Sequence, residues 1–464
     1  MVVDDGAMIR TLAVVLALVV AAPPGVARAA PPGPTLDWGA CAGGTAAVQC
    51  ATLRLPVDWS DSDGPGFDLA VARRPARVPA QRVGTLVFGP GGPGDSGVDR
   101  LVRGSARFSD EILDSFDVVS FDPRTVAGSA APVCAREPVP VILRDQGDFD
   151  ATVAANRALW QQCRESSPVF DHASTRNTAR DLDALRRALG ESRLTFHGSS
   201  YGTLLGQQYA EMFPGRVRAA VLEGVFDHSL NLTDFVRTQA TAVQDSFDEF
   251  VAWCERGSAC PADVRATWTE VLARADDGEY APFTAFDVAA LPIATLQGPN
   301  WPGLAAAIEG LAAGRTDTMR GLPPVPTGAF CADFPVPVRD YREYTKLLRV
   351  AAKAGPDIRY GAGLLAVSLC LGWPQPVDNP PHRPRVHTRV PVLLLNARHD
   401  PRTGYEWATH VAGQLGRNGR LVTYEGWGHG VYRDTACTTA AVDRYLIDLV
   451  VPARGASCPA EPVS

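Results

Sequence analysis

Arg193-Leu-Thr-Phe-His197 leads directly into Gly198-Ser-Ser-Tyr-Gly202, and Leu204 to Phe213 follows before Pro214. The first block is short and carries β-forming residues, so it reads as a strand. The last reads as a helix stopped by the proline. Between them lies the pattern G-x-S-x-G. A strand-to-helix turn this tight drives the side chain of its central residue into solvent at the sheet edge, and small neighbours make room for it. That central residue is Ser200, not Ser199. The helix starting here also places partial positive charge near any anion that develops at Ser200.

Similar apolar runs recur on both sides of this turn. Thr85 to Phe88 ends in a Gly-Pro cluster and Phe116 to Phe121 ends in Asp-Pro-Arg. Val217 to Leu222, Pro391 to Asn396 and Arg420 to Tyr424 complete the series, and such runs suit parallel strands buried on both faces. Thr52 to Val57 and Phe67 to Arg73 read as an opening hairpin. Thr178 to Leu189 reads as a helix, with Leu182, Leu185 and Leu189 on one face, Thr178 as cap and Gly190 as stop. The alternation predicts an α/β fold with a mainly parallel sheet flanked by helices. From 230 to 380 the pattern changes: Val236, Ala240, Val243, Phe247 and Phe250 fall at helical spacing, and proline-rich loops interrupt it. That stretch reads as a mostly helical insertion.

A serine hydroxyl needs a base. Of eight histidines, only His429 sits in a loop after a late strand with glycines on both sides, within Gly426-Trp-Gly-His-Gly430. His197 lies inside a strand and reads as packing. His172, His228, His382, His387 and His410 read as surface or loop residues, and His399 as a local partner of Asp400. The base needs an orienting carboxylate. Asp400, after the Val392 to Leu395 strand, gives the chain order Ser, Asp, His expected of such a sheet. Asp181, Asp183 and Asp434 read instead as solvated charges. The oxyanion needs two backbone donors. Tyr201 N–H is one candidate. Gly92, in the loop Gly89-Pro-Gly-Gly-Pro-Gly94, is the other, with Gly91 its neighbour. No Lys-Ser/Thr follows that loop, so it does not read as a phosphate cradle.

The 464 residues carry a net charge of −7 with acids and bases mixed, and no basic patch supports nucleic-acid binding. Near the N-terminus, Met8-Ile-Arg10, the apolar run Leu12 to Ala22 and Ala27-Arg-Ala29 form a secretory signal over 1–29. The run is too short for an ordinary membrane span, so no anchor is expected after cleavage. Ten cysteines and no C-x-x-C suit disulfides in an oxidising compartment rather than zinc. Pairing of neighbours (41–50, 134–163, 254–260, 331–370, 437–458) is the simplest arrangement, although sequence leaves the connectivity open.

Taken together, Gly89–Gly94, Phe116-Asp-Val-Val-Ser-Phe-Asp-Pro-Arg124, Ala179–Gly190, Gly198–Thr203, Pro391–Asn396, His399-Asp-Pro-Arg-Thr403, Gly426–Gly430 and the cysteines 437 and 458 resemble the secreted bacterial tripeptidyl aminopeptidase-like α/β-hydrolases, relatives of the prolyl aminopeptidases. The resemblance spans Val48 to Cys458. It implies an α/β-hydrolase core at 30–229 and 381–464 with a helical cap at 230–380. It also implies a secreted serine exopeptidase that acts on peptide or protein N-termini and releases short peptides, typically tripeptides, with no cofactor and no metal. The chain departs from the pattern at Thr125, where relatives usually have glycine, at Ala127-Gly128, and at Gly404, often proline.

An aminopeptidase must hold the substrate's ammonium at a fixed distance from the serine. Glu223, after the strand that follows the elbow helix, and Asp333, beside Cys331, are the candidates. Two other functions compete. A secreted carboxylesterase or lipase would use the same triad. A non-catalytic binding protein on this scaffold would carry a damaged triad, and here all three residues are present.

Overall fold

The computed structural model describes residues 1–2, 36–44, 47–104, 107–135, 139–257, 260–317, 319, 327–374 and 376–462. The signal segment, and the prolines Pro31, Pro32 and Pro34 that follow it, fall almost wholly on residues outside these.

Ten strands form one sheet among the described residues: β1 (Gly39–Ala40), β2 (Gln49–Pro56), β3 (Gly66–Arg74), β4 (Gly84–Gly89), β5 (Phe116–Phe121), β6 (Leu194–Ser199), β7 (Val217–Glu223), β8 (Val392–His399), β9 (Gly419–Trp427) and β10 (Ser457–Cys458). Their spatial order is β1-β2-β3-β5-β4-β6-β7-β8-β9-β10. The hairpin read from the sequence is β2–β3, antiparallel, and β3 joins β5 antiparallel. From β5 through β9 every pairing is parallel. Parallel strands are covered on both faces, which is why these runs are apolar without alternation. On β4, Leu86 and Phe88 pack into one core cluster and Val87 into another on the opposite face.

Helices cover the faces. α1 (Gly97–Val102) and α2 (Asp110–Ser115) link β4 to β5, and α3 (Gln146–Ser166) and α4 (Thr175–Ala188) link β5 to β6. α5 (Tyr201–Met212) follows β6. Among the described residues, eight helices then separate β7 from β8: α6 (Leu232–Arg256), α7 (Val264–Asp276), α8 (Ala285–Ala289), α9 (Leu291–Thr295), α10 (Trp301–Ala312), α11 (Thr327–Asp333), α12 (Tyr341–Ala354) and α13 (Ala362–Cys370). They carry their own core, centred on Phe247, Phe250, Trp268, Trp301 and Leu304. α14 (Tyr405–Leu415) links β8 to β9, and α15 (Ala436–Asp448) follows β9.

α4 begins one turn before the sequence reading placed it. Its cap is Ser174, whose hydroxyl accepts the Asn177 N–H, rather than Thr178. Extra acceptors upstream of an apolar face make helix starts hard to place. Asp181 and Asp183 are not solvated. The Asp181 carboxylate is buried, binding the Arg124 guanidinium and accepting from Trp59 Nε1 at 2.9 Å. Asp183 is buried among Arg186, Arg216 and the Tyr209 hydroxyl. His228 is buried too, its ring 3.0 Å from the Asp333 carbonyl. The five disulfides join 41–50, 134–163, 254–260, 331–370 and 437–458.

Candidate active site

Ser200 sits between the last residue of β6 and the first of α5 with φ 55° and ψ −121°. A left-handed φ is costly for a side-chain-bearing residue and persists only where the surroundings enforce it. Those surroundings are glycines. A Cβ on Gly198 would collide with the Gly202 carbonyl, and one on Gly202 with the Gly89 carbonyl. Ser200 N–H donates to the Glu223 carbonyl at 2.9 Å, which ties the turn to the end of β7. The Ser200 hydroxyl makes no capping bond to α5.

Asp400 lies just past β8 and is buried. Its Oδ1 accepts the N–H groups of Arg402 (2.8 Å) and Thr403 (2.9 Å), and its Oδ2 accepts the Thr403 hydroxyl (2.9 Å). The remaining valence meets His429 Nδ1 at 2.9 and 3.1 Å. A carboxylate acceptor makes Nδ1 the protonated nitrogen. His429 stands on a loop held by its own N–H to the Gln297 carbonyl (2.7 Å), in the segment after α9. Gly428 and Gly430 flank it with φ 110° and 79°. Ser200 and His429 line one cavity of about 360 Å³, with Gly91, Gly92, Asp95, Arg100, Arg107, Gln297 and Arg402 among its other walls.

Both loop glycines reach this cavity, but they do so differently. A Cβ on Gly91 would lie 3.1 Å from the Ser200 Cβ, whereas one on Gly92 would meet Gly94 and Asp95 within its own loop. Gly91 is therefore the glycine in contact with the serine.

The two ammonium candidates do not face the cavity as free carboxylates, and the reading of both needs correction. Glu223 is fully buried at the end of β7. It pairs with the Arg107 guanidinium, and its Oε2 accepts the Tyr432 N–H at 3.1 Å. Asp333 is buried against α4 and α5, where it accepts from Thr175, the Tyr201 hydroxyl (2.5 Å) and Asn379 Nδ2 (2.9 Å). Burial raises its pKa. Sequence proximity to a strand end or to a disulfide does not say what already occupies a carboxylate.

Several site residues escaped the sequence reading. Thr403 clamps Asp400, a signal available as a hydroxyl three residues past a turn aspartate. Gly224 (φ 62°) lies under the imidazole, where a Cβ would fall 2.8 Å from His429 Cε1. Asn396 joins the two strand ends: its Oδ1 accepts the Val225 N–H at 2.7 Å and its Nδ2 donates to the Thr403 carbonyl at 3.1 Å. Arg100, on α1, and Arg107 and Arg402, on two separate loops, share no sequence signal.

The family described as "alpha/beta hydrolase fold" matches residues 84–276, and that described as "TAP-like protein" matches 358–458. The serine protease Hip1 of Mycobacterium tuberculosis is 30% identical, over 94% of this chain and 93% of its own. Carboxylesterase B of the same species is 30% identical, over 89% and 86%. The tripeptidyl aminopeptidase of Streptomyces lividans is 29% identical, over 93% and 88%.

Proposed function

The chain is an enzyme of the α/β-hydrolase family, homologous along most of its length to serine protease and tripeptidyl aminopeptidase relatives, and on that premise we propose that it is a secreted serine exopeptidase releasing short peptides from free N-termini. Ser200 is the nucleophile, His429 the general base and Asp400 the residue that orients the imidazole. With Nδ1–H held by Asp400, Nε2 carries the lone pair that takes the Ser200 proton as the hydroxyl attacks the peptide carbonyl. The tetrahedral oxyanion is held by the Tyr201 N–H and an amide of the Gly91–Gly92 segment. His429 then protonates the leaving amine, and water, deprotonated by the same imidazole, releases the acyl group from Ser200. No cofactor or metal enters this scheme.

The observation that carries this reading is a strained, glycine-enforced serine sharing one cavity with a carboxylate-backed histidine. The cap segment around Gln297 borders that cavity and favours chain ends over internal loops. The five disulfides suit export. A fluorophosphonate probe is expected to label the protein and to fail on Ser200→Ala. Mass spectrometry of a peptide mixture after incubation is expected to show released tripeptides. Single-residue release would overturn the tripeptide length, and internal cleavage alone would overturn the exopeptidase assignment. The carboxylesterase relative supports a second reading. Cleavage of a short acyl ester but of no tripeptide anilide would favour it.

A further inference from the structure

Three guanidiniums and a single carboxylate line the catalytic cavity: Arg100, Arg107 and Arg402 against Asp95. Arg100 is paired with Asp95, and Arg107 with Glu223 behind it. Arg402 is different. Among the described residues no carboxylate lies within ion-pairing distance of it, and its Nε donates only to the neutral Gln297 Oε1 at 3.2 Å. It follows Asp400 by two residues, and its side chain projects into the space that Ser200 and His429 border. Arg402 also lines a second, mostly apolar cavity of about 50 Å³ walled by Val243, Phe286, Ile293, Ile358 and Leu365, none of which carries a charge. Arg402 is exposed to the solvent of the cavity and Arg107 is half-buried; burial lowers the pKa of Arg107 to about 10, so it remains protonated at neutral pH. Arg107 Nε has no hydrogen-bond partner.

We infer that this cavity selects a substrate carrying a carboxylate close to the scissile carbonyl, with Arg402 as the residue that reads it and Arg107 as the second cation of the site. The planar guanidinium fork matches a carboxylate in two parallel hydrogen bonds. Asp400 and Asp95 act on Arg402 from a distance, and an incoming carboxylate would be its direct ion-pair partner. An ammonium close to the scissile carbonyl, by contrast, would meet a net positive wall with its one carboxylate already engaged, whereas the free N-terminus of a tripeptidyl group lies three residues from that carbonyl. The carboxylate could belong to an acidic side chain on the acyl side or to the terminal carboxylate of a short leaving peptide. The inference rests on the serine-peptidase reading for its substrates, but not for its charge logic.

The test compares tripeptidyl 4-nitroanilides, Ala-Ala-Ala against the three single Glu replacements, and a tetrapeptide free acid against its amide. In at least one pair the acidic member is expected to have a kcat/KM about tenfold higher or more, mainly through KM. The anilide series locates the carboxylate on the acyl side and the tetrapeptide pair on the leaving side. Arg402→Gln is expected to reduce the acidic-to-neutral ratio by about the same factor, and Arg402→Lys to restore part of it. Neutral substrates cleaved as well as or better than every acidic one, or an unchanged ratio in Arg402→Gln, would overturn the inference. If no peptide is cleaved, the peptidase reading fails separately, and the comparison moves to 4-nitrophenyl hemisuccinate against 4-nitrophenyl butyrate. A preference for the hemisuccinate that falls in Arg402→Gln would sustain the inference, and no preference would overturn it.

Discussion

Two histidine–carboxylate pairs stand at neighbouring ends of the sheet. His429 with Asp400 follows β9 and β8, and His197 with Glu223 belongs to β6 and β7. Their side-chain composition is nearly the same, but their surroundings are not. The His429 ring is 13% exposed, its Nδ1 is aligned on the carboxylate, and it borders a cavity. His197 is wholly buried, packed edge-on against Phe88, Phe108 and Tyr432. Its Nε2 stands 3.1 Å from Glu223 without hydrogen-bond alignment, and Glu223 is already neutralised by Arg107. Burial, with the Arg107 charge, holds the His197 pKa well below the usual histidine range. A base needs both a proton donor and an orienting acceptor; His429 has the acceptor and shares a cavity with Ser200, whereas both ring nitrogens of His197 lack a hydrogen-bond partner.

Substitutions in the two pairs are expected to separate catalysis from stability. His429→Ala is expected to lower kcat by about 10⁵-fold or more while leaving the melting temperature close to that of the parent. His197→Gln, which fills the same buried space with a neutral amide, is expected to keep kcat within about tenfold and to lower the melting temperature. Equal losses of kcat in both would break the distinction. Asp400→Asn is expected to cost about 10⁴-fold in kcat, because the amide no longer fixes the Nδ1–H tautomer. Its counterpart Glu223→Gln leaves the half-buried Arg107 charge without its ion pair. It is expected to cost about 3–5 kcal/mol of stability in denaturant titration.

The His197 side also makes stability depend on pH. A histidine held neutral in the folded state binds its proton first in the unfolded state as pH falls below about 6.5. His197 therefore contributes stability that is present above that pH and is lost as pH falls, at about 1.4 kcal/mol per unit. His228, lowered by burial, adds to the slope. His382 opposes it: its bond to Glu211 raises its pKa, so its contribution is present below about 6.5 and is lost as pH rises through the raised value. His197→Gln is expected to flatten the fall of stability between pH 6.5 and 5.5, whatever its effect at pH 7. An unchanged slope would mean that His197 titrates freely.

The readable parts of this molecule are those where one local rule decides. Phe116–Phe121 reads as a strand because every side chain must suit a sheet covered on both faces, and the observed strand has the same limits. The elbow reads because Gly198 and Gly202 admit no side chain. Asp400 and His429 read because each follows a strand in a glycine-, proline- or asparagine-rich turn. Glu223 and Asp333 misread because a buried carboxylate's role depends on partners far away in the chain, Arg107 and Tyr432 for one, Thr175, Tyr201 and Asn379 for the other. The arginine-lined wall is invisible for the same reason. Helical spacing in 230–380 gives a helix but not the way its faces meet.

The smallest expected effect concerns a third region, the turn after β5, where two residues other than glycine take left-handed backbone angles. Thr125 and Ala127 take φ values of 67° and 39°, the left-handed region that glycine enters at no steric cost. Thr125 is buried, and its hydroxyl has no hydrogen-bond partner. The turn is nonetheless held firmly. Thr125 N–H donates to the Ser129 carbonyl at 3.0 Å, and Asp122 accepts the Gly128 N–H at 3.0 Å and the Ser96 hydroxyl at 2.6 Å. The strain is thus carried by the fold rather than relieved by local motion. Thr125→Gly removes both the Cβ clash and the unsatisfied hydroxyl, against the larger backbone entropy of an unfolded glycine. Relief of left-handed strain is worth about 1–2 kcal/mol and the entropy opposes it by up to about 1 kcal/mol. The net expectation is a stabilisation of about 1 kcal/mol in denaturant titration, with kcat unchanged because the residue borders no catalytic group. A loss of stability would mean that Thr125 makes packing contacts that outweigh its backbone cost.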